Sequence, residues 1–537
     1  MDKAVSKVLR RATPLGLTPM ALSLAACGSG GEDSFSSSNN DMNGGQLPTN
    51  QNDSTPFLDF NHYTATSTPL PMYRSFSVMG EDPNYGDFPG AEIRDVGDIN
   101  KDGIDDIVIE YFENASAPVV MLGTPDGLFE RLIYDIGDVT RRHIRNGELE
   151  DIDGDGWLDF VGFTTGDAGW RWELAGWTTN GVEIPQGEAD LLLINQGGVG
   201  FIAIPIPQVS ENDYNHGGTV VDIDGDGRLD IATVREGSEE WTAPIINNGN
   251  LIFTLSTTEY SNEVSYYGTS EVEAGDLNKD GFNDLVFTIQ ESYDPSIENA
   301  NRIGTLLVIM GDGNFDFSDN YSFKFGDTWI TPADREVILS KFEGEAVPNS
   351  PWVDTNELVV GSGALKLFDL DNDGDLDLFE GQYYAVKGLW RGAGFKYYEN
   401  VGTSNILLEN GQELEKPIFV DKTDIVFPNQ DVNRWLIEDE APGFIFDFWF
   451  GDINGDDYID IVLQNENHNG DDLFDTYPYI FINDGNGQFN PSATNFWPAA
   501  DNLANLVIGN FDGDPEMELV GIRENYGIDT LDLVVFL

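Results

Sequence analysis

"GDINKDGIDDIVI", residues Gly97–Ile109, packs polar oxygens into a short loop and then turns abruptly apolar. Counted from Asp98, the oxygens fall at positions 1, 3, 5 and 9 (Asp98, Asn100, Asp102, Asp106), with Gly103 at position 6. Oxygens converging in this way repel one another unless a cation sits among them. A hard cation that takes many oxygen ligands, such as calcium, suits the set. The β-branched run that follows favours a strand.

The pattern returns six more times. "DIDGDGWLD" supplies Asp151, Asp153, Asp155 and Asp159, and "DIDGDGRLD" supplies Asp222, Asp224, Asp226 and Asp230. "DLNKDGFND" offers Asp276, Asn278, Asp280 and Asp284, and "DLDNDGDLD" offers Asp369, Asp371, Asp373 and Asp377. "DINGDDYID" brings Asp452, Asn454, Asp456 and Asp460, and "NFDGDPEME" begins at Asn510. A helical calcium loop of the EF-hand or dockerin kind wants a bidentate acid at position 12. That position holds Ile109, Gly162, Thr233, Phe287, Glu380, Leu463 and Gly521, so only one of the seven qualifies. After position 9 come "IVI", "FVGF", "IATV", "LVF" and "IVL", which read as strands.

Further on, each repeat places an apolar run before a Gly/Asn turn, as in "VVMLGTPDGLF", "LLLINQGGVGF", "IINNGNLIF", "LLVIMGDGNFDF" and "YIFINDGNGQF". These are hairpin signatures. The unit is strand, acidic loop, strand, connection, strand, tight turn, strand. A four-stranded antiparallel sheet repeated radially is a propeller blade.

The pattern resembles the FG-GAP/VCBS repeat family, the calcium-loop blades also found in the integrin α-subunit head, over about residues 73–537. The resemblance implies an all-β, seven-bladed β-propeller with calcium in the loops between first and second strands. The seventh repeat shows three strands, so a ring needs a fourth from elsewhere. "YRSFSVMG", Tyr73–Gly80, is expected to pair beside the last strand and close it. Asp457 replaces the turn glycine of the sixth loop. Pro515 replaces that of the seventh, where Glu518 stands at position 9. Asp tolerates a left-handed backbone and Pro cannot adopt one. About six calcium sites are expected, with the loop at 510–518 left open.

The 537 residues carry 27 basic and 95 acidic side chains, a formal net charge of −68. That excludes a phosphate-binding, nucleic-acid role, which needs clustered Lys and Arg, and electrostatic docking on anionic lipid. Cys27 is the only cysteine, so no intramolecular disulfide forms. It follows a basic start (Lys3, Lys7, Arg10, Arg11) and ends "LAAC", which resembles the lipobox of bacterial lipoproteins. The resemblance implies a signal peptide over 1–26 and lipidation of Cys27. Residues 27–55, rich in Gly, Ser, Asn and Asp, read as a tether, and 56–537 as the propeller. The expected location is the bacterial envelope, with Gly28 leaning toward the outer membrane, and the expected state a monomer.

The face opposite the acidic loops is where a ligand is expected. The long connection of the second repeat carries Trp170, Arg171, Trp172 and Trp177, which can stack on sugars and pair with anions or pack a small satellite core. Arg142 and His143 lie in the densest basic cluster, His216 in "NDYNHGG" and Tyr266 in "SYYGTS". By repeat equivalence these line one mouth. No triad, zinc, P-loop or dinucleotide signature appears. The reading is a calcium-stabilised binding or adhesion module for a glycan or protein, without a catalytic assignment. A lyase of acidic polysaccharide, using His143, His216, Tyr266 and Arg142, and a passive envelope scaffold are the alternatives.

Overall fold

A computed structural model describes residues 65–69, 91–111, 118–136, 144–164, 190–206, 215–235, 243–256, 260, 271–289, 291–292, 306–313, 321–326, 340, 358–386, 389–407, 413–428, 444–466, 479–491, 503–514, 516–525 and 530–536. They form seven antiparallel sheets: in five of them the four strands follow chain order, blade seven takes Ala65–Pro69 as its fourth strand, and blade five adds Glu291–Ser292 on the free edge of Leu358–Phe368. The inner strands are Ala91–Gly97, Ile144–Glu150, Asn215–Val221, Val272–Gly275, Leu358–Phe368, Phe444–Gly451 and Leu503–Gly509. The architecture is the expected seven-bladed, all-β propeller. α-Helix among the described residues is confined to the single turn Thr423–Val426 and to Ser340.

The apolar runs after each acidic loop are continuous because a blade buries both faces. In the second strand of blade one (Asp106–Tyr111), Ile107 and Ile109 join a core shared with blades six and seven, while Val108 joins one shared with blade two. The pleat sends alternate side chains to opposite neighbours, and both sides are dry. Successive cores lie between blades two and three, three and four, four and five, and five and six. Stability is therefore distributed over interfaces around a ring, as in other repeat proteins.

Ring closure departs from expectation in its residues. Ala65–Pro69 pairs antiparallel with Thr530–Phe536, from Ala65 opposite Phe536 to Pro69 opposite Asp532, and completes blade seven as its outermost strand. Tyr73–Gly80, the expected partner, lies outside the described residues. An outermost strand pairs through its backbone and needs no apolar run to do so.

Polar side chains tie neighbouring inner strands. Asp95 Oδ2 accepts from Leu149 N at 2.7 Å, and Glu148 Oε2 accepts from Val220 N at 2.8 Å. Lys366 Nζ lies 3.0 Å from Glu273 and 3.5 Å from Asp447, joining blades four, five and six.

Candidate metal centres

Each acidic loop leaves the end of an inner strand and returns as a second strand, so the ring topology puts all seven on one face. In the first loop, Asp98 accepts from the amides of Asp102 and Gly103, both at 3.0 Å. Asn100 Oδ1 accepts from Asp102 N at 2.9 Å, and Asp102 Oδ1 from Ile104 N at 3.0 Å. The same wrapping recurs around Asp276, Asp369 and Asp452. Amide donors hold the oxygens in a ring and soften their repulsion without neutralising it.

Position 9 has a second task that spacing alone does not reveal. Asp106 is fully buried. Its Oδ2 accepts from Ile99 and Asn100, at 2.8 and 3.2 Å, while its Oδ1 accepts from Gly123 N at 2.9 Å. Gly123 ends the third strand, so one carboxylate staples the loop to the neighbouring hairpin. Asp159, Asp230, Asp284, Asp377 and Asp460 make the same link to Asn195, Asn247, Gly311, Asn400 and Asn483. Burial outweighs these bonds. It pushes Asp106 up to about 8, Asp159, Asp377 and Asp460 to about 7, and Asp230 to about 6. Asp284 is also raised well above the carboxylate range. Carboxylates this costly to ionise call for a positive partner.

Ligand atoms of Asp151, Asp153 and Asp159, of Asp222, Asp224 and Asp230, and of Asp369, Asp371 and Asp377 each gather within 4.8 Å. These sets could hold a metal. The other three regular loops carry Asn100, Asn278 and Asn454 at position 3, whose amide oxygens occupy the corresponding place in the motif. Loop two supplies a test of fit. Asp151 Oδ2 accepts from Gly156 N at 2.9 Å, while its Oδ1 is buried with no hydrogen-bond partner. A buried, partnerless carboxylate oxygen beside Asp153 and Asp159 is what a cation would satisfy.

The seventh loop, left open above, also gathers oxygens, from Asp512, Asp514 and Glu518. Asn510 is turned to other work: its Oδ1 accepts from Gly513 N at 2.7 Å and its Nδ2 donates to Asp514 O at 2.6 Å. The extra methylene of Glu518 lets the carboxylate reach both the cluster and Phe511 N, at 2.6 Å. Pro515 lies outside the described residues.

Three features escaped sequence reasoning. Position 4 is left-handed in all seven loops: Lys101, Gly154, Gly225, Lys279, Asn372, Gly455 and Gly513 have φ between 57° and 84°. Loops are also latched to one another. Asn195 Nδ2 donates to Ile99 O of the previous blade at 2.9 Å, Asn247 to Ile152 O at 3.0 Å, and Asn400 to Leu277 O at 3.0 Å. Where that residue is glycine, at Gly123 and Gly311, a polar residue at position 8 makes the link instead. Asn283 Nδ2 donates to Asp222 O at 2.9 Å, and Asp105 exchanges two bonds with Asn510, at 2.7 and 2.8 Å, across the ring closure. The signal was in the sequence: Asn pairs with an aliphatic position 8, Gly with Asp105 or Asn283.

The third feature lies at the opposite ends of the inner strands, where register irregularities recur. They fall between Ile93 and Asp95, Ile144 and Asn146, Asn215 and Gly217, Ser362 and Ala364, Ile445 and Asp447, and Ala504 and Val507. They single out Arg94, Arg145 and His216 in three consecutive blades. Asn215 is 2% exposed; its Nδ2 donates to Asp190 at 2.5 Å, and its Oδ1 has no hydrogen-bond partner. Of the expected ligand residues, His216 falls in a described strand. Trp170, Arg171, Trp172, Trp177, Arg142, His143 and Tyr266 lie outside the described residues, as does Cys27.

A family model described as an FG-GAP-like repeat matches residues 222–287, from the third acidic loop through the fourth and into its second strand. The chain is thus a seven-bladed β-propeller in which residues 222–287 match an FG-GAP-like repeat. No curated protein matches the sequence. Among solved structures it is similar to the exotype rhamnogalacturonan lyase YesX, with 12% identity, 87% of this chain and 75% of that chain covered, and a TM-score of 0.34. It is similar to the Bacillus licheniformis rhamnogalacturonan lyase PL11, with 13% identity, the same coverages and a TM-score of 0.38. The V. cholerae biofilm matrix protein Bap1 has 11% identity, 83% and 87% coverage, and a TM-score of 0.31. At these scores the likenesses carry no argument about activity.

Proposed function

We propose that this protein is a calcium-stabilised binding module, held at the bacterial envelope through lipid on Cys27, that presents the face opposite its acidic loops to a glycan or protein. The partnerless Asp151 Oδ1 supports the cation. Calcium suits loops whose donors are all oxygen, and it would neutralise carboxylates that burial makes expensive to ionise. The ion's role is structural: it pins the turn between the first and second strands of a blade.

The ligand reading rests on the other face. Asn215 Oδ1, buried without a partner, asks for a donor such as a sugar hydroxyl, and it sits at a bulge beside His216. Bulges re-aim side chains and recur next to binding sites. The connections carrying Trp172 and Tyr266 leave or enter described strands at this same end, as does the segment with Arg142 and His143.

The test is retention of the calcium-loaded protein on a panel of acidic polysaccharides, read together with ultraviolet absorbance of unsaturated uronate products. Retention that weakens at least about tenfold in Asn215→Ala or Trp172→Ala, with no absorbance, supports the module. Absorbance that grows with time and disappears in His143→Ala or His216→Ala would make the protein a lyase and overturn the reading. Neither signal would exclude these glycans and leave a protein ligand.

A further inference from the structure

The outer hairpin of blade five is unlike the others. In blade one the third and outer strands are Val119–Gly123 and Phe129–Arg131. In blade five they are Leu389–Leu407 and Glu413–Asp421, paired from Tyr398 opposite Asp421 out to Leu407 opposite Glu413. The blade proper ends at Asn400, whose amide meets the position-9 carboxylate of Asp377 at 2.9 Å. Beyond it the two strands stay paired, from Thr403 opposite Pro417 to Leu407 opposite Glu413.

This hairpin leans on blade four, from its base at Phe419, opposite Asn400, outward. Phe419 stacks on Phe325 of the outer strand Ser322–Phe325, with centroids 4.9 Å apart, and Lys416 Nζ lies 4.6 Å over the Phe323 ring. Ile406 and Phe419 pack with Tyr321 and Phe323 against a core that includes Leu277 and Leu414. Leu277 is position 2 of the fourth acidic loop. Position 3 of that loop, Asn278, donates Nδ2 to Glu415 O of the hairpin at 3.0 Å. Asn278 is 7% exposed and is the only buried residue among the seven at position 3. Asp153 and Asp371 are exposed, and Asn100, Asp224, Asn454 and Asp512 are half-buried. Six loops thus open to water at the residue that the hairpin covers in the fourth. Lys279 of the same loop is ion-paired with Asp375 of loop five, so blade five grips it twice.

We propose that the blade-five hairpin is a lid on the fourth cation loop, so that an ion bound there leaves only when the hairpin lifts. This rests on the calcium reading above. The contacts that must break are the Phe419–Phe325 stack, the Lys416 cation–π contact, the Asn278–Glu415 bond and the packing of Ile406 and Leu414, all between blades four and five, so the opening is local and leaves the ring intact. The fourth ion is then the slow one, while the others exchange as fast as their own loops allow.

Calcium-loaded full-length protein mixed with a fluorescent chelator in a stopped-flow instrument decides it. One equivalent is expected to leave at least about tenfold more slowly than the rest. Asp280→Asn should abolish that equivalent, whereas Asp456→Asn should remove a fast one. Phe419→Ala and Phe325→Ala, each checked for native circular dichroism, should move the slow equivalent into the fast class with the total unchanged. Release in a single class overturns the lid, as does a slow equivalent that survives Asp280→Asn or is unmoved by both Phe variants. A protein that binds no calcium overturns the parent reading and the lid with it, and that result is distinct from fast, uniform release.

Discussion

At the scale of single residues, the acidic loop is a backbone problem as much as a ligand set. Its turn bends left-handed twice, at positions 4 and 6, and Gly103, Gly156, Gly227, Gly281 and Gly374 serve the second bend. Asp457 takes that bend at φ 69° with a side chain in place. Left-handed backbone costs a non-glycine residue about 1–2 kcal/mol, less for Asp, whose short side chain bonds locally. Asp457→Gly keeps the amide that donates to Asp452 Oδ2 at 2.7 Å and relieves the strain. It is expected to stabilise the protein by about 0.5–1 kcal/mol, read as a higher denaturation midpoint at constant slope. The sequence marked position 6 because glycine recurs there. It did not mark position 4, because Lys101, Lys279 and Asn372 mask the shared conformation.

At the scale of elements, the end of the third strand decides how blades are latched. Asn195 donates to Ile99 O and Leu158 O, at 2.9 and 3.0 Å, and accepts from Gly198 N at 2.8 Å. Asn195→Ala leaves buried carbonyls unpaired and is expected to cost about 2–4 kcal/mol in unfolding experiments. Gly123 cannot take the same side chain, since a Cβ there would lie 2.5 Å from Asp105 O and 2.6 Å from Ile104 Cγ2. Gly123→Asn should therefore destabilise. Asp105→Leu should destabilise as well, because it removes the carboxylate that accepts from Asn510 N across the ring closure. A lower denaturation midpoint at constant slope measures that loss, and an unchanged midpoint would refute the latch.

At the scale of the whole molecule, stability depends on cations and protons through the same oxygens. Without calcium, Asp106, Asp159, Asp230, Asp377 and Asp460 titrate at about 6 to 8 in the folded chain, against 3.8 when unfolded. Between these limits the folded state holds protons that the unfolded chain has lost, so stability falls as pH rises through the folded values. Dialysis against EDTA should give a melting temperature that drops from pH 5 to pH 8. Calcium, which replaces those protons, should lift the curve most at the alkaline end. A chelated protein whose melting temperature stays level across that range would contradict the burial argument.

Sequence alone determined the repeat, the strand that follows each loop, the propeller class and the sets of oxygens that converge. All of these are written within a dozen residues, where spacing translates directly into geometry. Tertiary structure decided which strand closes the ring, that position 9 staples two hairpins, that Asn or position 8 carries each latch, and that one hairpin covers one loop. These depend on residues brought together from far apart, as Ala65 is set beside Phe536 and Asn278 beside Glu415. Apart from the latches, whose Asn/Gly alternation the sequence does carry, they are made to backbone amides and carbonyls, which every residue carries and which no pattern of side chains announces.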